Sequence, residues 1–434
     1  MNIDNYLKDF TLLHPKSIDL SLERIYLLLK KLGNPQKKLP PIIHVAGTNG
    51  KGSVVSFLRS ILEANNYKVQ TYTSPHLIFF NERIRLADGY ISRKWLEELF
   101  YECSVINKKE PITFFEITTA AAFLAFSRST ADFLILEVGL GGKFDTTNTI
   151  ENPILTAITN ISLDHTDFIG PDLKSIAKEK SGIIKTKTPL VVCEQNIDVK
   201  SVILDQAQIK NAPTIFQNIE WYIQREKNKN ILVFRDKKLT LPKLSLKGSF
   251  QLNNASQAAI CALSLSKYKI DNQSIIEGLS NANWPGRMQK LNNGLLAKKI
   301  NISCDIWLDS GHNPGAGKAL FETINELNKE NYKKTFVILG MMQKKDLFNF
   351  LKPLSTLIEE LIAVPIPGEE LSYNPIQITQ ESNKLNIKSK TSTDPLKAIE
   401  YFKKNKELIG NRVLICGSIF LAGKILELDG YKIK

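Results

Sequence analysis

Apolar runs alternate with segments of helical periodicity over the first 190 residues of the chain. The apolar runs predict strands at 41–46, 67–73, 132–138, 154–160 and 189–193. The periodic segments between them predict helices at about 51–65, 92–107, 114–129 and 172–183. Strands that alternate with helices are typical of a parallel sheet covered by helices, so we predict an α/β fold.

The pattern changes beyond this region. Short alternating runs within 213–246, including 231–234 and 239–246, predict a small antiparallel patch, and a helix follows at about 253–266. A second series of strand-like runs then begins at 304–309, 335–340, 360–364 and 412–417. This series predicts a second α/β region.

The length of 434 residues exceeds what one ordinary hydrophobic core supports. The break in pattern at Asn283-Trp284-Pro285-Gly286-Arg287 comes just before the second series of strands. We therefore expect a boundary near residues 290–302 and two domains, at 1–296 and 297–434.

The formal net charge of +13 raises the alternative of a protein that binds nucleic acid. Only ten of the 57 basic residues are arginine, and the lysines are spread over polar stretches such as 225–230. This distribution indicates a solvated surface whose field could steer an anionic substrate. We expect no nucleic-acid partner and keep a basic, nucleotide-regulated nucleic-acid-binding protein as the remote alternative.

The sequence also indicates the cellular compartment of the protein. No apolar run reaches the roughly 18 residues that a membrane span requires, and the first ten residues lack the pattern of a signal peptide. The five cysteines are scattered and never form a C-x-x-C pair, which fits reduced thiols. We expect a cytoplasmic protein with no membrane partner.

A glycine-rich turn, Gly-Thr-Asn-Gly-Lys-Gly-Ser at 47–53, separates the first predicted strand from its helix. Backbone N–H groups and a helix N-terminus meet in such a turn, and Lys51 adds a charge for the β and γ oxygens of a nucleoside triphosphate. The strict pattern G-x-x-x-x-G-K-[ST] fails twice, since Val45 replaces its first glycine and Gly52 separates Lys51 from Ser53. The turn favours a phosphate site, with a purely structural turn as the alternative.

Polar residues follow or end the predicted strands, where open α/β sheets bind ligands. Glu137 ends an apolar run, and a carboxylate there is costly to bury without a metal or a basic partner. With a serine hydroxyl and His165 it would offer a mixed oxygen and nitrogen site suited to Mg²⁺ or Mn²⁺ beside phosphates.

Two further groups of residues leave alternatives open. Four of the five histidines lie in segments flanked by Gly or Pro, and each could equally be a structural, hydrogen-bonded imidazole; they are His44, His76, His165 and His312. The segment 178–182 contains Lys178 and Lys180, and it could be an exposed charged face. The residues alone do not separate the two lysines.

Eight segments, in this order and spacing, resemble the bifunctional folylpolyglutamate synthase and dihydrofolate synthase family of the Mur ligase superfamily. They lie at 44–53, 74–77, 81–84, 136–148, 163–167, 178–182, 285–287 and 309–314. Ser-Pro-His-Leu followed by Asn-Glu-Arg-Ile favours this family over Mur-type UDP-muramyl amino-acid ligases, which share the phosphate turn and are the enzymatic alternative. The two departures from the strict phosphate pattern match the family's own form of the turn.

The resemblance implies an N-terminal P-loop-like ATPase domain with a mostly parallel sheet, a C-terminal Rossmann-like domain and a reaction at their interface. A substrate carboxylate would attack MgATP to give an acyl phosphate, which the amine of L-glutamate would then attack. The partners would be small molecules: ATP, L-glutamate, and dihydropteroate, reduced folates or both. A monomer is the expected state.

The resemblance also implies roles for individual residues. The ATP phosphates would be held by Thr48, Asn49, Gly50, Lys51, Gly52 and Ser53. Further nucleotide contacts would come from Asn254, Arg287, Asp309 and His312. The Mg²⁺ ligands would be Ser74, Glu137 and His165. Lys180 resembles a lysine that the family carries as N6-carboxylysine, which would serve a second metal ion.

Three segments resemble the pterin-binding segments of the family. They comprise Asp19, Leu20 and Ser21; Thr113, Phe114, Phe115 and Glu116; and Phe144, Asp145 and Thr146. Aromatic rings there would suit a flat substrate, although Phe114 and Phe115 could also be core residues at a helix start. Ser21 and Lys143 depart from the glycine and arginine that are common in the family.

Overall fold

The computed structural model describes residues 2–16, 18–227, 229–292, 294–300, 304–404 and 408–432. These residues form two compact units. The first comprises the chain up to Ser245 together with Asn253–Ala282, and the second comprises Leu246–Leu252 together with the chain from Asn283 onward.

Helices and strands alternate through the first unit. The helices are α1 (Ile3–Leu12), α2 (Glu23–Lys31), α3 (Lys51–Ala64), α4 (Arg93–Asn107), α5 (Phe114–Ser127), α6 (Thr166–Ile169), α7 (Leu173–Ser181), α8 (Ile197–Ile209), α9 (Ser249–Leu263, whose first residues belong to the second unit) and α10 (Asn272–Asn281). The strands are β1 (Ile42–Ala46), β2 (Val69–Tyr72), β3 (Ile84–Leu86), β4 (Gly89–Tyr90), β5 (Phe133–Glu137), β6 (Leu155–Ile158), β7 (Leu190–Val192), β8 (Thr214–Phe216), β9 (Trp221–Arg225), β10 (Asn230–Phe234) and β11 (Lys237–Thr240).

The large sheet of this unit has the order β4-β3-β2-β5-β1-β6-β7-β8. Neighbouring strands from β2 to β8 are parallel, whereas β3 and β4 add an antiparallel edge. Every residue of β1, β5 and β6 is buried, which explains why these strands read as continuous apolar runs. The predicted α/β fold is confirmed.

Helices cover this sheet through separate apolar clusters. Residues of α1, α2, α4 and α5 pack together with β2 and β5, and residues of α7 and α8 pack with β6 and β7. In α5, side chains from Glu116 to Phe126 are all buried, so the helix is apolar on nearly every face. Helices α1, α2, α8 and α10 were not predicted from sequence.

The predicted antiparallel patch is the separate sheet β11-β10-β9. The expected strand at 239–246 is wrong beyond Thr240, where β11 ends. Leu241 and Leu246 are buried in a segment without strand pairing, and their burial accounts for the misleading alternation.

The second unit has its own sheet, ordered β12-β13-β17-β14-β15-β16. Its strands are β12 (Gln289–Lys290), β13 (Asp305–Leu308), β14 (Thr335–Leu339), β15 (Ile358–Ala363), β16 (Ser389–Thr391) and β17 (Arg412–Cys416). Its helices are α11 (Leu295–Ile300), α12 (Pro314–Glu330), α13 (Leu347–Leu351), α14 (Pro375–Lys384), α15 (Pro395–Lys404) and α16 (Ile419–Leu428). All pairs are parallel except β12 with β13, so the second α/β region is also confirmed.

Candidate active site

Four adjacent parallel strands of the first unit, β2, β5, β1 and β6, carry predicted site residues at their carboxyl ends. Ser74 follows β2, Glu137 ends β5, the turn at 47–53 follows β1, and His165 lies on the loop after β6. Carboxyl ends of parallel strands share one edge of the sheet, which is where α/β proteins bind ligands. The sheet order therefore gathers residues that are far apart in sequence.

The turn after β1 has the backbone of a phosphate cradle. Gly47 and Gly50 have φ values of +144° and +91°, which glycine adopts without the penalty of a side chain. A Cβ atom at Gly47 would overlap Thr159 Oγ1, and one at Gly50 would overlap Asn254 Oδ1. Gly50 immediately precedes α3 and has no side chain to cap it, so the start of the helix suits an anion.

Hydrogen bonds tie this turn to the loop after β6. Thr48 N donates to Asn160 O over 2.8 Å, and Thr48 Oγ1 donates to Ser162 O over 3.0 Å. Lys51 Nζ lies over the turn, donating to Gly47 O at 3.1 Å and to Thr48 O at 3.3 Å. The lysine charge is thus held where a phosphate would enter.

Ser74 and Glu137 are in direct contact. Glu137 Oε2 accepts a hydrogen bond from Ser74 N over 3.2 Å, and the carboxylate is almost fully buried at the end of β5. Their hydroxyl and carboxylate oxygens are the ligands that Mg²⁺ prefers. His165 follows β6, which is two strands from β5 in the sheet. Its side chain is 41% exposed, and its Nε2 is 3.9 Å from Asp164 Oδ1. Within the described part of the chain, no three His, Cys, Asp or Glu side chains form a metal-binding cluster.

Arg83 is a buried cation near Glu137 to which no role was assigned from sequence. Its backbone oxygen accepts a hydrogen bond from Thr73 N, beside Ser74, and its Nε donates to His76 Nδ1 over 2.9 Å. Burial lowers the pKa of Arg83, and the charges of Tyr72, Glu137 and Glu82 oppose this shift. The motif Asn-Glu-Arg-Ile was the available signal for this residue.

Burial beside Arg83 determines the protonation state of His76. Burial and the nearby Arg83 charge lower the pKa of His76 to about 3, so the ring is neutral. Since Nδ1 accepts from Arg83, the ring proton is on Nε2.

Lys180 and Lys178 differ sharply in their surroundings. Lys178 is exposed, whereas Lys180 is 5% exposed and lies in the last turn of α7. Burial, with the charge of Lys51 acting in the same direction, lowers the pKa of Lys180 to about 7. A Cβ atom at Gly142 would lie 2.9 Å from Lys180 Cα, so the loop after β5 packs closely on this turn. A buried lysine with a lowered pKa is a candidate functional group, unlike an exposed charged face.

Arg24 joins two of the three predicted pterin-binding segments. Its guanidinium donates to Asp19 Oδ2 at 2.8 Å and to Glu116 Oε2 at 3.1 Å. Thr113 and Glu116 form a capping box at the start of α5, with Thr113 N donating to Glu116 Oε2 at 2.7 Å. Leu20 is half-buried against a core cluster, and Ser21 Oγ accepts from a backbone N–H.

Aromatic packing joins the third segment to the second. Phe115 and Asp145 both pack on Gly139, where a Cβ would lie 2.5 Å from the Phe115 ring and 3.3 Å from Asp145 Oδ2; Phe115 also stacks on Tyr72. Phe114 packs against the core, whereas Phe144 is 37% exposed beneath the ammonium of Lys143. The second and third segments thus meet at the start of the loop that follows Glu137, and Arg24 links the first segment to the second.

The three predicted site residues of the second unit gather after β13. Asp309 accepts hydrogen bonds from Met288 N at 2.9 Å and Gly311 N at 2.7 Å. Arg287 contacts the Ser310 hydroxyl, and His312 Nδ1 lies 3.0 Å from Ser310 O. Burial raises the pKa of Asp309, and the charge of Arg287 opposes that shift.

Two family models match the chain. Residues 45–262 match the Mur ligase middle domain, and residues 292–428 match the C-terminal domain of dihydrofolate synthetase. Together with the phosphate turn and the two sheets, these matches define an ATP-dependent ligase of the Mur type.

Similarity to known proteins extends over nearly the whole chain. The dihydrofolate synthase/folylpolyglutamate synthase of Escherichia coli (strain K12) is 32% identical over 416 residues, which cover 96% of this chain and 93% of that protein. A solved structure of E. coli FolC in complex with DHPP and ADP aligns with a TM-score of 0.87 at 30% identity, covering 99% of this chain and 97% of that one. A bifunctional folylpolyglutamate synthase/dihydrofolate synthase solved with Mn, AMPPNP and L-glutamate bound aligns with a TM-score of 0.84 at 28% identity, covering 98% of each chain.

The chain belongs to the dihydrofolate synthase/folylpolyglutamate synthase family. The resemblance stated from sequence is thereby confirmed, and it prevails over the muramyl ligase alternative. None of the helices in the described ranges combines the length and hydropathy needed to cross a membrane.

Proposed function

We propose that this chain joins L-glutamate, through an ATP-dependent amide bond, to 7,8-dihydropteroate, to a reduced folate that already carries glutamate, or to both. The observation that carries the proposal is the edge formed by β2, β5, β1 and β6, where a phosphate turn, a buried carboxylate and a buried lysine converge. Relatives described with ADP and DHPP, and with AMPPNP and L-glutamate, support the same set of ligands.

The reaction proceeds in two displacements. A carboxylate oxygen of the acceptor attacks the γ-phosphorus of ATP, ADP leaves, and an acyl phosphate forms. The amine of L-glutamate then attacks the acyl carbonyl, phosphate leaves with the bonding electron pair, and the amine loses a proton. The protein contributes position and charge compensation.

The phosphates bind the turn after β1. Thr48, Asn49, Gly50, Lys51, Gly52 and Ser53 supply N–H groups, hydroxyls and one ammonium. Lys51 compensates the charge that builds up as ADP leaves. Asn254, which lies against Gly50, adds a further nucleotide contact within the first unit. In the second unit, Arg287, Asp309 and His312 are the proposed nucleotide-binding residues.

Ser74, Glu137 and His165 hold Mg²⁺, which neutralises phosphate charge when bound. The contact between Ser74 and Glu137 and their oxygen chemistry fit such an ion. The nearby charge of Arg83 offsets part of the cost of burying the Glu137 carboxylate.

Lys180 carries a carbamate that serves a second metal ion. A neutral amine is the nucleophile that adds to CO₂, and a pKa of about 7 leaves a large neutral fraction at physiological pH. Its burial among Lys51, Asp164 and Asp145 supports this modification.

The flat pteroate part of the acceptor lies against the three segments joined by Arg24 and Phe115. Phe144 offers an exposed ring, and the side chains of Asp19, Thr113 and Thr146 offer polar contacts. The full set is Asp19, Leu20, Ser21, Thr113, Phe114, Phe115, Glu116, Phe144, Asp145 and Thr146. We assign residues 1–296 to the ATP and acceptor domain and 297–434 to the C-terminal ligase domain. The protein acts as a cytoplasmic monomer without a nucleic-acid partner.

Acceptor-dependent ADP formation by the purified protein tests the proposal. We expect ADP only when Mg²⁺, L-glutamate and a pteroate acceptor are all present, and comparison of dihydropteroate with tetrahydrofolate identifies the preferred acceptor. No turnover with either acceptor would refute the proposal. Turnover with a UDP-muramyl acceptor would support the Mur-type alternative, and salt-sensitive binding of oligonucleotides would support the remote one.

A further inference from the structure

A buried hydrogen-bond chain connects the central strand β1 to the loop that follows β5. His44, in the middle of β1, has its Nε2 2.8 Å from Thr147 Oγ1. Thr147 Oγ1 in turn donates to Asp145 Oδ1 over 2.5 Å. His44 and Thr147 are fully buried and Asp145 is 3% exposed, so all three members of the hydrogen-bond chain are shielded from water. Neither His44 nor Thr147 has a role in the proposed reaction.

The donor and the acceptor of each bond in this hydrogen-bond chain can be assigned. The single hydroxyl proton of Thr147 is donated to Asp145, so Thr147 Oγ1 accepts from His44 and the imidazole carries its proton on Nε2. Burial, with the charge of Lys185 acting in the same direction, lowers the pKa of His44 to about 3, so the ring stays neutral. Its Nδ1 atom is buried without a hydrogen-bond partner among the described residues.

Packing alone does not explain a histidine at this position. A leucine would fill the same strand position without leaving a buried ring nitrogen unpaired, which costs free energy. What the histidine supplies is one donor to Thr147, directed at the loop that begins after Glu137.

Asp145 organises that loop. Its Oδ2 accepts from Leu140 N at 2.8 Å, and its Oδ1 also accepts from Thr147 N at 3.0 Å, so the carboxylate spans the loop from its start to its end. Thr146 is held separately, through Thr119 Oγ1 at 2.9 Å. The loop therefore has a defined conformation that depends on which way the Asp145 carboxylate points.

We infer that His44 and Thr147 are positioning residues for the acceptor: through Asp145 they hold the loop at 139–147 in the conformation that binds the pteroate group. This inference rests on the proposed function, because it takes Phe144, Asp145 and Thr146 as acceptor contacts. It adds that acceptor affinity is determined in part by a residue of the strand that leads into the phosphate turn.

Replacement of Thr147 by valine tests the inference with little change in volume. Loss of the hydroxyl removes both side-chain hydrogen bonds, and we expect Thr147→Val to raise KM for the acceptor about ten-fold, the effect of one to two buried hydrogen bonds. KM for ATP should change less than about two-fold. Thr147→Ser keeps the hydroxyl and should restore acceptor affinity.

The matched control is Thr149→Val. Thr149 is buried in the same 3₁₀ turn, Thr146–Thr149, and its hydroxyl donates to the Thr146 backbone oxygen instead of to Asp145. The same substitution there should leave KM for the acceptor unchanged. Calorimetric titration of ADP, and then of dihydropteroate into the ADP complex, should show the same split in Kd without relying on turnover.

His44→Leu and His44→Gln test the other end of the hydrogen-bond chain. Leucine should raise KM for the acceptor while lowering the melting temperature little, and glutamine, which retains an N–H donor, should recover part of the affinity. The inference is overturned if Thr147→Val leaves acceptor affinity unchanged, if it raises KM for ATP equally, or if Thr149→Val has the same effect. Absence of acceptor-dependent turnover in the wild-type protein would instead contradict the proposed function.

Discussion

The two units each contain a parallel strand that leads through a tight turn into a helix, yet the two turns treat the helix N-terminus differently. After β1, Gly50 precedes α3 without a capping side chain, and Lys51 lies over the turn. After β13, Asn313 caps α12 by accepting from Ala316 N at 2.9 Å, and Pro314 occupies the first turn of the helix.

The carboxylates near the two turns differ as well. Asp309 is engaged by the N–H groups of Met288 and Gly311, which belong to its own unit's backbone. Glu137, at the end of β5, accepts a hydrogen bond from Ser74 N, which follows the neighbouring strand β2, and lies near the buried Arg83. Because no side chain caps the start of α3 and Lys51 lies over the turn before it, we expect an anion to bind there and not at the capped start of α12.

The largest expected effect concerns the two carboxylates. Glu137→Gln keeps the volume and an oxygen for Ser74 N but removes the charge that would hold Mg²⁺. We expect Mg²⁺-dependent turnover to fall about a thousand-fold or more, with an unchanged far-UV circular dichroism spectrum. Asp309→Asn should have a smaller effect. A nearly normal rate for Glu137→Gln would remove this residue from the metal site.

The next largest effect is expected from replacing the lysine at the start of α3, in contrast to the lysine near the start of α12. Lys51→Met should lower turnover about a hundred-fold, because the ammonium compensates charge on the transferred phosphate. Lys318→Met changes an exposed lysine near the start of α12 and should leave the rate within about two-fold. Steady-state ADP release measures both, and equal losses would contradict the distinction between the two turns.

Gly50→Ala separates backbone strain from steric overlap at the phosphate turn. A methyl group there would overlap the Asn254 amide at a positive φ, so we expect ATP affinity to fall at least about ten-fold. Gly33→Ala is the control, since Gly33 also has a positive φ, +80°, but has no neighbouring atom within 4 Å of a Cβ. That variant should lose about 1 kcal/mol of stability and no ATP affinity. Equal ATP binding by the two variants would argue against the cradle.

The pH dependence of stability tests the buried lysine of the first unit. Folding lowers the pKa of Lys180 from 10.5 to about 7, so between these values the unfolded chain binds more protons than the folded chain. This group therefore makes the free energy of unfolding rise with pH across that window and level off outside it. We expect Lys180→Met to flatten the rise, as followed by chemical denaturation in CO₂-free buffer.

Bicarbonate sharpens the same measurement. A carbamate on folded Lys180 carries no proton, whereas the lysine of the unfolded chain is an ammonium, so in bicarbonate the free energy of unfolding should rise with pH below pH 7 as well, where the unmodified protein levels off. Lys180→Ala should lose turnover and recover part of it with formate or acetate. Full activity of that variant without either anion would show that the lysine has no part in the reaction.

The smallest effect is expected at the capped helix of the second unit. Asn313→Ala removes the cap of α12 and should lower the free energy of unfolding by about 1 kcal/mol. KM for ATP should stay within about two-fold. A large rise in KM would show that the start of α12 contacts the nucleotide, which would remove the contrast on which the comparison rests.

Some features were predictable because they depend on local chemistry. The central strands of the two mostly parallel sheets appeared as apolar runs because strands buried on both faces must be apolar, and α3 and α5 appeared through their periodicity. The turn at 47–53 was recognisable because its glycines are required by backbone conformation. Short edge strands such as β4 and β12, and helices such as α1, carried too weak a pattern to be identified.

Residues of the candidate site that act through others could not be predicted in this way. Arg24 and Arg83 are ordinary basic residues in the sequence, and only the packing of α5 and β2 gives them buried carboxylates as neighbours. Lys178 and Lys180 are two positions apart on one helix, and the rotation of α7 against the sheet decides which of them is buried.

The sequence by itself determined the family, through motifs in a fixed order along the chain, and the α/β class and the glycine-rich turn at 47–53, through residues that are close together in sequence. Tertiary structure alone decided which charges are buried together and which hydrogen bonds link distant segments. The pKa of Lys180 and the chain from His44 to Asp145 belong to this second group. Desolvation and hydrogen bonding depend on neighbours in space, and strand order, which the chain pattern does not specify, determines those neighbours.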